Sequence, residues 1–138
     1  MANHVELFVH LVWAVDRRRP LLVPPIERPV HGWIGGKCRD LGCTAIAVGG
    51  MPDHVHLLVA LHPAVSVASL VSQVKGVSSH GVTHVLRSEP TFAWQSGYGA
   101  FTLRRADVAT VKAYVLRQPE HHAVGSVDAS LEAITDQT

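Results

Sequence analysis

From His4 to Val15 the chain alternates, with Val5, Leu7, Val9, Leu11, Trp13 and Val15 on one side and His4, Glu6, Phe8 and His10 on the other. A period of two is the pleat of a β-strand, and a single apolar side means that one face of a sheet is buried. The rest of the sequence supplies partners for that strand. Cys43 to Val48 and His54 to Leu61 read as two more strands, joined by the turn Gly49-Gly50-Met51-Pro52-Asp53. So short a link makes the pair an antiparallel hairpin. A fourth, short strand is expected over Gly99 to Leu103.

Helical segments fall between these strands. Pro24-Pro25 is a helix start, followed by Ile26, Val30, Trp33 and Ile34 near helical spacing, although Pro29, Gly32, Gly35 and Gly36 weaken it. Ser66 can cap a second helix through about Leu86, with an apolar stripe of Val67, Leu70, Val71, Val74, Val77, Val82 and Leu86 and interruptions expected at Gly76 and Gly81. Asp107 is expected to cap a last helix running to about His122. The order strand, helix, strand, strand, helix, strand, helix predicts an α+β fold on a split β-α-β (ferredoxin-like) plan. Helices would cover one face of an antiparallel sheet and leave the other for chemistry.

With 138 residues, 47% of them hydrophobic, the chain suits one compact domain. Residues 1–124 are expected to form it, with 125–138 as a short acidic tail. That tail holds Asp128, Glu132 and Asp136 and no basic residue, so the remainder carries 12 basic residues against 8 acidic, a balance of +4 within an overall +1. Any nucleic-acid contact therefore depends on local clustering of charge. Cys38 and Cys43 read as small, reduced, partly buried residues, and no apolar run reaches the roughly 20 residues of a membrane span. With no secretory start at Met1, a cytoplasmic protein is expected.

Several residues carry chemistry. His54 and His56 stand two apart on a strand, so their imidazoles share a face while Val55, Leu57 and Val59 point into the core. Two neutral imidazoles so placed can grip one divalent ion, although two ordinary exposed histidines would give the same pattern in a chain with ten. Tyr114 and Gln118 lie four apart on the last helix, hence on one side of it. A tyrosine can attack phosphorus and an amide oxygen can complete a metal shell; a half-buried aromatic beside a solvent-facing amide would look the same. Pro119 should loosen the helix where Gln118 presents its side chain. Basic residues gather as Arg17, Arg18 and Arg19 after the first strand, Lys75 on the second helix, and Arg104, Arg105, Lys112 and Arg117 around the last. They are candidates to hold a nucleic-acid backbone, and otherwise surface charge. Trp94 and Tyr98 either stack on unpaired bases or close a loop onto the core.

Three segments together, Met51-Pro52-Asp53-His54-Val55-His56-Leu57-Leu58-Val59, Trp94-Gln95-Ser96-Gly97-Tyr98-Gly99-Ala100-Phe101 and Tyr114-Val115-Leu116-Arg117-Gln118-Pro119-Glu120-His121-His122, resemble the single-tyrosine HUH transposases of bacterial insertion sequences, the IS200-like group. The likeness runs from about residue 4 to His122. It implies that His54, His56 and Gln118 hold a divalent metal, Mg2+ or Mn2+, and that Tyr114 attacks a single DNA strand folded into a hairpin. It also implies a homodimer in which the tyrosine helix of one chain completes the histidine site of the other. A tyrosine with an ordinary pKa near 10 needs help at neutral pH, from the metal or from Lys112 or Arg117. Many relatives continue into a basic, aromatic extension where this chain turns acidic, so a non-mobile relative that binds or nicks hairpin DNA is the alternative. A plain RNA-binding or metal-sensing module on the same plan is a third reading.

Overall fold

A computed structural model describes residues 3–88 and 91–118. Strands β1 (Phe8–Ala14), β2 (Thr44–Met51), β3 (His54–Ala60) and β4 (Gly99–Leu103) form one sheet in the order β2-β3-β1-β4. Every neighbouring pair is antiparallel. Helices α1 (Pro24–Asp40) and α2 (Val67–His80) fill the two crossovers, and α3 (Val108–Leu116) follows β4. This is the expected split β-α-β plan.

Register explains where the alternation stops being a strand. Phe8 pairs with Ala60 on one side and Leu103 on the other, the last residues of β3 and β4. His4 to Leu7 continue the pattern past the end of both partners, and Val5 and Leu7 stay exposed. Within the sheet Val9, Leu11 and Trp13 lie opposite Val59, Leu57 and Val55. These side chains join Val30, Ile34, Leu70, Val71 and Val74 from α1 and α2 in the main core. The hairpin is tighter than expected: β2 runs through Gly49 and Gly50 to Met51, and only Pro52 and Asp53 turn.

Helix α2 starts as its sequence suggests, with Ser66 Oγ accepting the Ser69 amide at 3.1 Å. It loosens at Gly81 into a wide turn, Gly81–Val85, closed by the Leu86 amide on the Gly81 carbonyl. Gly81 is needed there because a Cβ would run into the indole of Trp33 on α1. The start of α3 differs from expectation. Asp107 makes no capping bond; its carboxylate takes Arg104 at 3.3 Å, and a 3₁₀ turn over Arg105–Asp107 leads into the helix. Its expected run to His122, the domain end at 124 and the acidic tail lie outside the described residues.

The two long helices cover one face of the sheet. The third packs on the opposite face over β2 and β3, where Val115 meets Ala47 and Leu58. That opposite face is the one carrying the paired histidines.

Candidate active site

The alternation of β3 sends Val55, Leu57 and Val59 into the main core and turns His54, His56 and Leu58 to the α3 side. Both imidazoles are buried, at 1% and 0% exposure, with their ring centroids 5.0 Å apart. Buried polar rings need partners, since each unpaired one costs stability. Asp53 Oδ1 accepts the Nδ1–H of His54 at 2.7 Å. Burial alone would raise the Asp53 carboxyl, but hydrogen bonds and charge from His54 and Arg18 outweigh it and hold the group below the ordinary carboxylate range. An ionised carboxylate can only accept, so His54 keeps a proton on Nδ1, and in the neutral form of the ring its Nε2 carries the lone pair.

His56 has a different partner. His10 of β1, itself buried, places Nε2 2.8 Å from His56 Nδ1, with the ring centroids 5.0 Å apart and the planes 19° from parallel. Sequence reasoning put His10 on the side of β1 away from the core and gave it no role. The missing information was register: Val12 lies opposite His56 and Leu58 opposite His10, so the two histidines meet diagonally across the β1–β3 pair.

Helix α3 brings the other half of the site. Tyr114 and Gln118 are both buried. The Tyr114 ring stands edge-on to His56 at 5.8 Å and to His10 at 6.5 Å, all within one chain. Gln118 donates its amide N–H to the Tyr114 carbonyl at 3.4 Å. The helix loosens at Arg117, whose φ of −112° and ψ of 28° leave helical values; Pro119, expected to cause this, lies outside the described residues. So close an approach depends on Gly49, the β2 residue paired with His56. A Cβ at Gly49 would collide with the carbonyl oxygen of Val115, so the absence of a side chain seats α3 on the sheet.

A cleft of roughly 430 Å3, lined by Arg18, Pro20, Met51, Pro52, Asp53 and His54, opens at the hairpin end of the site. Among the described residues no three His, Cys, Asp or Glu side chains gather to hold an ion. An ion here would need a different donor set, and the residues present fit one: two imidazoles with their Nδ1 positions occupied, and an amide.

The sequence pattern of the family described as "Transposase IS200 like" matches residues 3–118, which spans every element above. The chain belongs to the IS200-like transposase family. It is 26% identical over 118 residues to the ISDra2 transposase TnpA of Deinococcus radiodurans, covering 82% of this chain and 84% of that protein. The crystal structure of a proposed transposase from Deinococcus radiodurans R1 superimposes with a TM-score of 0.68 at 23% identity, covering 83% of this chain and 92% of the other. A REP-associated tyrosine transposase bound to a REP hairpin gives a TM-score of 0.65 at 18% identity, over 88% of this chain and 72% of the other. Both share the fold of this IS200-like transposase.

The basic residues of the transposase do not form one group. Arg18 pairs with Asp53 at 3.1 Å and so touches the histidine site. Arg17 and Arg18 both hold left-handed backbone, φ 58° and 54°, which non-glycine residues adopt rarely. Arg19 donates to the carbonyls of Asp16 and Thr91. Lys75 Nζ donates to the carbonyls of Gln95 at 2.9 Å and Gly97 at 2.8 Å, and desolvation lowers its pKa. Arg105 pairs with Glu6 and Arg104 with Asp107, while Lys112 on α3 and Arg117 at its C-cap are exposed. Trp94 closes its loop onto the core, donating to Ser78 Oγ at 3.0 Å and meeting Trp13 edge-on, and Tyr98 packs against the same cluster. Cys38 and Cys43 are free and buried, and burial pushes the Cys38 thiol up to about 11. No helix of the described residues is long and apolar enough to cross a membrane.

Proposed function

We propose that this transposase cleaves and rejoins single-stranded DNA at hairpin-bearing ends, with Tyr114 as nucleophile and His54, His56 and Gln118 as ligands of a divalent metal, Mg2+ or Mn2+. The observation that carries the reading is the α3 tyrosine set edge-on to buried His56, which stands beside buried His54, the Nδ1 atoms of the two imidazoles being engaged by His10 and Asp53. A buried tyrosine beside buried histidines has little value as core, because apolar residues would pack there without needing partners. Neutral imidazoles presenting Nε2, with the amide of Gln118, are donors suited to Mn2+ as well as to Mg2+. When bound, the ion would supply Lewis-acid stabilisation of charge on the scissile phosphate.

The chain's own residues do the rest. Tyr114 Oη loses its proton and attacks phosphorus; the bond to the 3′ oxygen breaks, and that oxygen takes up a proton as a free 3′-hydroxyl. The product is a 5′-phosphotyrosine, which keeps the energy of the broken bond, so a second 3′-hydroxyl can reverse the step and join new ends. The cleft beside His54, bordered by Arg18, is the entry for the strand, and exposed Arg17, Lys112 and Arg117 hold its backbone. A hairpin substrate is supported by the fold shared with the REP-associated transposase that binds a REP hairpin.

A homodimer completed in trans belongs to the same proposal. In one chain α3 lies on its own sheet, so exchange would move α3 onto the Gly49 seat of a second copy. The test is a labelled single-stranded hairpin from the DNA flanking the gene, mixed with protein and Mn2+. A covalent band resistant to denaturation is expected from wild type and absent with Tyr114→Phe; equal bands would refute the nucleophile. Mixing Tyr114→Phe with His54→Ala, His56→Ala chains then restores cutting if the site is shared, and leaves it at background if each tyrosine serves its own chain.

A further inference from the structure

We infer that His10 is a positioning residue that sets the tautomer of His56, accepting the Nδ1–H of that ring so that its Nε2 lone pair is turned to the metal; the inference rests on the metal reading above. Two imidazole nitrogens 2.8 Å apart share one proton. If His56 donates, its proton is on Nδ1 and Nε2 is a ligand. If His10 donates, the proton of neutral His56 is on Nε2 and that nitrogen cannot bind an ion. Whether Nε2 of neutral His56 can act as a ligand therefore turns on the direction of the His10 bond.

The neighbouring half of the site indicates the direction. His54 carries its proton on Nδ1 because the Asp53 carboxylate can only accept. A second ligand of the same kind needs an acceptor at its own Nδ1, and His10 Nε2 is the atom within hydrogen-bond reach there. The packing fixes the pair. His10 is 1% exposed, lies nearly parallel to His56 at 19°, and is flanked by Phe101 of β4 and Tyr114 of α3. Little room is left for either ring to turn over, so the bond is built into the sheet before any ion arrives. Acceptors of this kind ordinarily change metal affinity by about 10- to 100-fold when removed.

The variants are His10→Leu, which fills the space without an acceptor, and His10→Gln, whose side-chain oxygen can take the place of Nε2. Mn2+ binding is followed by calorimetry, and nitrogen NMR of the metal-free protein reads which nitrogen of His56 bears the proton. The expected results are a proton on Nδ1 in wild type, Mn2+ binding weakened roughly 10- to 100-fold in His10→Leu, and recovery to within several-fold in His10→Gln. A wild-type His56 protonated on Nε2 overturns the inference. So does undiminished binding in His10→Leu, or a His10→Gln variant as weak as His10→Leu with its fold intact by circular dichroism. If His10→Leu fails to fold, the wild-type tautomer and His10→Gln still decide. Failure of the metal reading looks different: His54→Ala and His56→Ala would then bind Mn2+ as well as wild type does.

Discussion

Replacing Gly49 with alanine should separate cutting from binding. The new Cβ meets the Val115 carbonyl oxygen, which is backbone and cannot swing aside as a side-chain tip can. Ordinary van der Waals contact begins near 3.4 Å, so α3 has to retreat from the sheet by roughly an ångström or more. Overpacking of this kind costs about 1–3 kcal/mol of stability. The larger effect is on chemistry, because Tyr114 and Gln118 flank Val115 on that helix and move with it away from His56. A displacement of about 1 Å at a reacting group is enough to lower rate by around 100-fold. The assay is formation of the covalent hairpin adduct under single-turnover conditions, with hairpin affinity measured separately by mobility shift. Affinity should hold within a few-fold, since Arg17 and Arg18 lie off the helix and the long exposed side chains of Lys112 and Arg117 can follow a phosphate through a shift of about 1 Å. A Gly49→Ala protein that folds and cuts at the wild-type rate would refute the argument that this missing side chain seats the tyrosine.

Three further outcomes follow from the packing. Burial lowers the His31 pKa from its ordinary 6.5 to about 4, so between those values the unfolded chain takes up a proton that the folded chain refuses. Stability is then lost as pH falls from 6.5 towards 4, by at most ~3 kcal/mol from this group, and His31→Gln should flatten that part of a denaturant-midpoint profile; an unchanged slope would exclude His31 as its source. Lys75→Met keeps the aliphatic stem but drops two bonds to the carbonyls of Gln95 and Gly97, and should lower stability by about 1–3 kcal/mol in urea unfolding while leaving hairpin affinity unchanged. A large loss of affinity there would mean that Lys75 reaches DNA after all. Gly81→Ala would gain about 1 kcal/mol by helix propensity alone, but the Trp33 indole occupies the space, so a net loss is expected on thermal melting and a net gain would contradict the contact.

Much of this was legible in the sequence because the signals were local. Alternation in β1, the short hairpin link and the Ser66 cap each concern a few consecutive residues; the cap is where it was expected, and the strand and the turn are each shorter than the run that announced them. The shared face of His54 and His56 follows from the pleat alone. What was not legible depends on how strands meet. His10 becomes part of the site only because β1 lies beside β3 in one register, and Gly49 reads as a turn residue until α3 is seen to cross it. Asp107 shows the reverse limit: a good capping residue is diverted because Arg104 stands three positions before it. The basic clusters could not be sorted along the chain for a related reason, since charge counted in sequence does not tell which groups are engaged by nearby carbonyls, as Lys75 and Arg19 are.

The seat of α3 has a consequence for where the molecule yields first. Among the described residues the sheet's helical face is closed by a broad apolar core, whereas α3 is held on the other face by a smaller cluster of Ala47, Leu58 and Val115, with partly buried Val108 and Val111, and by Tyr114 set against His56 and His10. Local opening runs along the least apolar seam, at a free energy below that of global unfolding. That seam here lies between the tyrosine and the histidines. Amide hydrogens of α3 should therefore exchange as a block ahead of those in β1 and β3, and the part that carries Tyr114 would be a hinged arm on a rigid plate.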